Sequence, residues 1–176
     1  MPPVLALSLI ALGALSRMVP HWPNVTAIGA LALFAGARLP RRWAFAVPLG
    51  AMLLTDLIML TRTSFSAVGL SIYGSYALIV ALGTLNRGRT GFVRPAMTSA
   101  AGALLFFVAT NLAVWGTSGM YPVTAAGLGM CFLAALPFFG NTLAADLGGT
   151  AVLFGGEALL FRRAQPAAEP SPTPVD

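Results

Sequence analysis

The stretch PAMTSAAGALLFFVATNLAVWGTSGMYPVTAAGLGMCFLAALPFFGNTLAA, residues 95–145, carries no charged side chain over 51 residues. One helical span needs roughly 20 mostly apolar residues to cross a hydrocarbon core of about 30 Å. The stretch is therefore long enough for two membrane helices, and its break at residues 116–122 supplies their connection. It predicts a chain that is surrounded by lipid.

The composition of the whole chain agrees with this prediction. Of the 176 residues, 57% are hydrophobic and 9% are charged, whereas soluble domains carry about 25% charged residues. This length holds about six spans with short loops and leaves no room for a soluble domain. We therefore predict an all-α membrane protein, a single bundle of about six transmembrane helices over residues 1–163.

Charged residues and prolines divide the chain into segments. The predicted spans are residues 3–19, 25–37, 43–60, 68–85, 95–115 and 139–161. A proline inside a continuous helix removes a hydrogen bond and kinks the helix. Because of Pro137, we predict a separate short interfacial or re-entrant helix at residues 124–136. Residues 164–176 are rich in proline and predict a disordered cytoplasmic tail.

The arginines predict the orientation in the membrane. All ten basic residues are arginine, and the topology above puts eight of them on one side: Arg38, Arg41, Arg42, Arg87, Arg89, Arg94, Arg162 and Arg163. Arg17 and Arg62 fall on the other side. By the positive-inside rule, the arginine-rich side and both termini are cytoplasmic. The arginines are spread between apolar runs, without the concentrated basic face that binds nucleic acid.

Several classes of chemistry lack their motifs in this chain. There is no lysine for a phosphate-binding loop, no His-Glu-x-x-His and no Gly-x-Ser-x-Gly, and the one histidine, His21, is the only candidate base. Cys131 is the only cysteine, so cysteine-rich zinc sites are excluded, and its apolar surroundings predict a buried side chain. We expect no catalysis, no cofactor and no metal.

Polar residues within the spans predict a binding site near the outer face. At a rise of ~1.5 Å per residue, Arg17, Asp56 and Asn111 all lie roughly 20–25 Å above the cytoplasmic ends of their helices. Ionisable groups in a span are costly and usually face the bundle interior or a watery cavity. The candidate ligand-binding residues are Arg17, His21, Asn24, Asp56, Asn111, Trp115, Tyr121, Asn141 and Asp146.

Each of these residues also has a purely structural interpretation. Asp56 could pair with Arg17 or Arg62, and Asp146 could join helices by hydrogen bonds without any ligand. Trp115 falls at a predicted span end, where an aromatic belt alone would explain it. These alternatives stay open at the level of the sequence.

Two blocks of sequence resemble a family of bacterial membrane proteins described only as transport proteins. The first block is Arg17, Pro20-His21-Trp22-Pro23-Asn24-Val25-Thr26-Ala27-Ile28 and Ala32-Leu33-Phe34-Ala35-Gly36. The second is Trp115, Met120-Tyr121-Pro122-Val123-Thr124, Gly127-Leu128, Cys131, Ala135-Leu136-Pro137-Phe138-Phe139, Asn141-Thr142 and Asp146-Leu147. The chain departs from the family pattern at Ala27, where proline is expected, and at Ala145, where glycine is usual. The resemblance implies a multi-pass protein of the bacterial inner membrane.

At the level of the fold, the chain is also similar to the substrate-binding S components of energy-coupling factor vitamin transporters. That similarity implies a vitamin-like small-molecule ligand and an energising transporter module as partner. S components dock on that module through small residues of the first helix, and here Ala11, Gly13 and Ala14 supply some of them without a clean four-residue repeat. A transporter that works alone is the alternative.

Three functions are compatible with the sequence. The first is a small-molecule transporter, or its substrate-binding membrane subunit, with a polar pocket near the outer face. The second is a membrane scaffold or assembly protein in which the same residues only hold helices together. The third is an intramembrane enzyme, which would depend on His21.

Overall fold

The computed structural model describes residues 3–20, 22–59, 66–89 and 91–164, and all regular elements in these ranges are helical. The α-helices are α1 (Pro3–Met18), α2 (Ile28–Arg38), α3 (Arg41–Ile58), α4 (Ala67–Gly83), α5 (Val93–Thr117) and α6 (Ala125–Ala164). A 3-10 turn, Thr84–Asn86, extends α4. The prediction of an all-helical chain is therefore confirmed over the described ranges.

Three segments are long and apolar enough to cross a membrane: Ala67–Asn86, Val93–Thr117 and Ala125–Leu160. The helices α1 and α2 are apolar but shorter, with 16 and 11 residues. At ~1.5 Å per residue, α2 rises only about 16 Å, roughly half of a hydrocarbon core. The described part of the chain thus has three helices that could span a membrane, and the total of six spans stays a prediction.

The short helix α2 forms the centre of the bundle. Every residue from Ile28 to Ala37 is buried, and α3, α4, α5 and α6 all pack against it. The sequence IGALALFAGA is apolar all round, which is typical of a helix enclosed on every side. The predicted second span, residues 25–37, therefore begins later than expected, at Ile28, and lies in the core.

Two glycines allow α2 and α4 to pack backbone to backbone. A Cβ atom added to Gly36 would collide with the carbonyl of Val80, and one added to Gly83 would collide with the carbonyl of Leu33. Small residues permit this close approach between helices where larger ones would hold them apart. The contact fixes where the two helices cross.

Arginine side chains cover the C-terminal end of α2. Arg87 donates hydrogen bonds from Nε to the carbonyl of Gly36 at 2.9 Å and from Nη2 to the carbonyl of Leu39 at 3.0 Å. Arg38 donates from Nε to both carboxylate oxygens of Glu157, at 2.6 and 2.7 Å. Cations at this end offset the partial negative charge of the last carbonyl groups.

The predicted break at Pro137 is wrong. The last helix, α6, runs without interruption from Ala125 to Ala164 with Pro137 inside it, so residues 125–136 form its first turns, and no separate helix exists at 124–136. The proline removes one N–H, but these turns also pack on α5, where the ring of Phe107 contacts those of Phe132 and Phe139. Membrane helices tolerate prolines when neighbouring helices hold the flanking turns.

Candidate ligand-binding cavity

Four of the candidate residues line one cavity of about 460 Å³. They are Arg17 from α1, Asn24 from the connection to α2, Asp56 from α3 and Asp146 from α6. The rest of the wall consists of Thr26, Ile28, Met52, Met59, Gly69, Ile72, Tyr73, Tyr76, Phe106 and Thr142. Residues that are far apart in sequence thus meet at the level where α2 begins.

Arg17 and Asp56 form an ion pair in the wall of this cavity. Arg17 donates from Nη2 to Oδ1 of Asp56 at 2.8 Å, and from Nη1 to the Thr55 hydroxyl at 2.6 Å and the Met52 carbonyl at 3.2 Å. The Asp56 side chain is 7% exposed and that of Arg17 is 22% exposed. The guanidinium is therefore held on α3 by three acceptors, which is the Arg17–Asp56 pairing that the sequence left open.

A tyrosine also contacts Asp56. Tyr73 donates its hydroxyl to Oδ2 of Asp56 at 2.8 Å, so both carboxylate oxygens accept hydrogen bonds and three helices meet at this residue. One turn further along α4, Tyr76 lines the cavity together with Thr26, which precedes α2.

Asp146 occupies the N-terminal end of α2. Its side chain is buried, and its carboxylate lies against the first turn of α2. A Cβ atom at Gly29 would collide with this carboxylate, so glycine makes the approach possible. The first N–H groups of a helix lack partners within it, and the N-cap residue Ala27 provides no side-chain hydrogen bond. A carboxylate from another helix therefore lies beside this end of α2 and offsets the helix dipole.

Asn111 lines a smaller, neighbouring cavity of about 270 Å³. This cavity shares Asn24, Phe106 and Thr142 with the first one. The amide of Asn111 donates to the carbonyl of Phe107 at 2.8 Å, within its own helix. Cys131 lies nearby and is buried, with its sulfur 3.5 Å from the Asn111 carbonyl oxygen.

Three other candidates lie away from the main cavity. Asn141 donates to the carbonyl of Pro23 at 3.0 Å, and Trp115 donates from its indole N–H to the carbonyl of Pro122, also at 3.0 Å. Tyr121 lies in the connection between α5 and α6. The bonds of Asn141 and Trp115 fix the segments that contain Pro23 and Pro122. His21 and Arg62 lie outside the described residues.

Sequence reasoning missed five polar or aromatic side chains in the wall: Thr26, Tyr73, Tyr76, Phe106 and Thr142. Tyr73 and Tyr76 were a recognisable signal, because residues three apart share a helix face and both fall in the outer half of a predicted span. The other three belong to apolar or mixed stretches. Nothing in their local sequence separates them from lipid-facing neighbours.

The described residues thus form a helical bundle that has three helices long and apolar enough to span a membrane and a cavity lined by charged, polar and apolar side chains. The chain belongs to the family of unknown function DUF6580, whose model matches residues 2–169. No curated protein and no solved structure matches it. The similarity to vitamin-transporter S components thus has no support from these comparisons.

Proposed function

We propose that this protein binds a small molecule in the 460 Å³ cavity and acts as a transporter or as the substrate-binding membrane subunit of one. The observation that carries the proposal is a cavity of ligand size with two buried carboxylates, Asp56 and Asp146, from different helices. Ligand cavities commonly measure about 300–1,000 Å³. Acidic groups inside a membrane bundle are costly and are commonly found where they serve a pathway or a ligand.

The position of α2 also supports the proposal. It begins inside the bundle beside the cavity instead of at a surface, because residues 22–27 reach it without helical structure. Membrane transporters often place the ends of short or broken helices at their substrate sites, where free backbone groups and dipoles act on the ligand. The same arrangement here puts the start of α2 next to Asp146.

We further propose that the cavity opens toward the outside of a bacterial inner membrane and that both termini are cytoplasmic. Arg38 and Arg87 lie at the end of α2 opposite the cavity. This separation supports a cytoplasmic arginine-rich end, as expected from the positive-inside rule.

The orientation predicts opposite labelling of two single cysteines. In a Cys131→Ala background, we expect Met120→Cys to react in intact cells with a membrane-impermeant maleimide, because Met120 is 73% exposed in the connection between α5 and α6. Arg89→Cys should react only after the cells are opened. The reverse pattern would contradict the proposed orientation.

A transporter that works alone fits the structure better than one that docks on an energising module. Of the three small residues named for docking, Gly13 and Ala14 are buried and Ala11 is exposed. A Cβ atom at Gly13 would meet Ala51 of α3 and two side chains of α2. These small residues therefore serve packing within the chain, which leaves little of a docking stripe on α1.

Filling the cavity should abolish binding. Ile72 lines the cavity from α4, whereas Leu70, on the same helix, is 66% exposed. We expect small molecules that copurify with the wild type from native membranes, identified by mass spectrometry, to be lost from Ile72→Trp and retained by Leu70→Trp. The Leu70→Trp control shows whether a tryptophan near this end of α4 disturbs folding when it does not fill the cavity.

The alternative to a ligand-binding protein is a membrane scaffold. The hydrogen bonds of Asp56 with Arg17 and Tyr73 favour it, because they join three helices without any ligand. A scaffold should copurify with no small molecule, and Ile72→Trp should then behave like Leu70→Trp. That result would overturn the proposed function. We propose binding rather than catalysis, and turnover that disappears in His21→Ala would instead establish the enzyme.

A further inference from the structure

We propose that the ligand of this cavity is a small organic cation, a protonated amine carried on an apolar body; the inference rests on the proposed binding function. Its basis is the balance of charge in the wall. The charged side chains among the described lining residues are Arg17, Asp56 and Asp146, which are two carboxylates against one guanidinium. The apolar helices around the cavity strengthen this imbalance, because charges interact more strongly beside apolar protein than in bulk water.

Arg17 already has a carboxylate partner. Its two terminal nitrogens donate to Asp56, to the Thr55 hydroxyl and to the Met52 carbonyl. A carboxylate or phosphate ligand would have to compete with Asp56 for the guanidinium while it approached a second carboxylate, Asp146. The charges of the described lining residues therefore disfavour an anionic ligand.

Asp146 provides the attraction for a cation. Among the described residues it forms no ion pair with an arginine; the two ion pairs there are Arg17–Asp56 and Arg38–Glu157. The start of α2 supplies only a partial positive charge, equivalent to roughly +0.5. A buried carboxylate without a full countercharge is unfavourable, and a protonated amine in the cavity would supply that countercharge.

The remaining wall suits an organic cation better than a metal ion. The described residues contain no group of three or more histidine, cysteine or acidic side chains that could hold a metal ion. The rings of Tyr73, Tyr76 and Phe106 and the side chains of Met52 and Ile72 instead line a space of about 460 Å³. Aromatic faces attract ammonium groups, and apolar side chains accept the hydrocarbon part of a ligand.

The test compares three molecules of one size and different charge: 2-phenylethylamine, its neutral isostere 2-phenylethanol, and the anion phenylacetate. Binding to the purified full-length protein is measured as the rise in thermal unfolding temperature over a concentration series. We expect the amine to bind about tenfold more tightly than the alcohol, and phenylacetate to give no stabilisation. This ranking in the wild type does not depend on any variant.

Two variants assign the preference to Asp146. Asp146→Asn keeps the size of the side chain and an oxygen at the start of α2 but removes the charge, so it should remove the advantage of the amine over the alcohol. Glu157→Gln makes the same chemical change in a half-buried carboxylate at the opposite end of α2 and should leave the ranking unchanged. If Asp146→Asn fails to fold, the order in which the three probes stabilise the wild type still tests the preference for a cation.

Each outcome has a distinct meaning. If the alcohol or phenylacetate stabilises the protein best, and Ile72→Trp abolishes that effect, the proposed binding function stands and the cation preference is wrong. If the amine stabilises Asp146→Asn as well as the wild type, the role of Asp146 is wrong. If none of the three probes stabilises the protein, the cation proposal is overturned, and the copurification experiment decides separately on binding.

Discussion

Alanine at Gly36 or at Gly83 should prevent stable folding of the bundle. At each position the new methyl group meets a backbone carbonyl of the facing helix, that of Val80 or of Leu33. Backbone cannot move aside as a flexible side chain can, so α2 and α4 must separate along their contact. Because α2 is also packed by α3, α5 and α6, that separation disturbs the whole core. We expect each substitution to cost about 3 kcal/mol or more.

The measurement is the yield of monodisperse protein in detergent and its thermal unfolding temperature. Gly74→Ala is the matched control for Gly83→Ala, since both glycines lie on α4 and an added Cβ at Gly74 meets nothing within 4 Å. It should be neutral or slightly stabilising, because alanine has the higher helix propensity. Equal behaviour of Gly74→Ala and Gly83→Ala would show that α2 and α4 are not in contact as described.

Removal of one partner of the Arg17–Asp56 ion pair should also lower the free energy of unfolding strongly. Asp56→Ala removes the carboxylate that Arg17 contacts, and Arg17→Met removes the guanidinium from beside a 7% exposed carboxylate. Removing one member of a buried pair typically costs about 3–5 kcal/mol. We expect values near the lower limit, because the Arg17 side chain is 22% exposed and reaches water.

The double variant Arg17→Met with Asp56→Leu separates stability from function. Replacement of a buried pair by apolar side chains of similar volume is often neutral, so the double variant should unfold near the wild-type temperature while both single variants unfold earlier. If the pair also shapes the binding site, the double variant should be stable and no longer bind the ligand. Additive losses in the double variant would contradict a direct interaction.

Some features of the site could be predicted because they depend on position along the chain. The level of Arg17 and Asp56 in the membrane follows from counting residues at a fixed rise, and the two side chains do meet although they are 39 residues apart. Asp146 was recognisable as an acidic group in an apolar run. Counting residues was less informative for Asn141 and Trp115, because two side chains at a similar depth can point in different directions.

The continuous helix α6 shows why local rules can fail. Pro137 weakens one turn, and taken alone this predicts a break. Contacts of Phe107 on α5 with Phe132 and Phe139, on either side of the proline, hold both parts in one helix. Such tertiary support cannot be seen in the sequence around the proline.

The sequence by itself determined that this protein is helical, that its composition suits a lipid environment, and that a few polar residues interrupt its apolar runs. These properties follow from run lengths, composition and the spacing of charges, which are local or additive along the chain. Only the tertiary structure decided that α2 is the enclosed centre, that Asp146 lies against its start at Gly29, and that Tyr73 donates a hydrogen bond to Asp56. The reason is physical: these contacts depend on how each helix is rotated about its axis. That rotation is set by packing between helices, such as that of Gly36 against Gly83, rather than by any one segment.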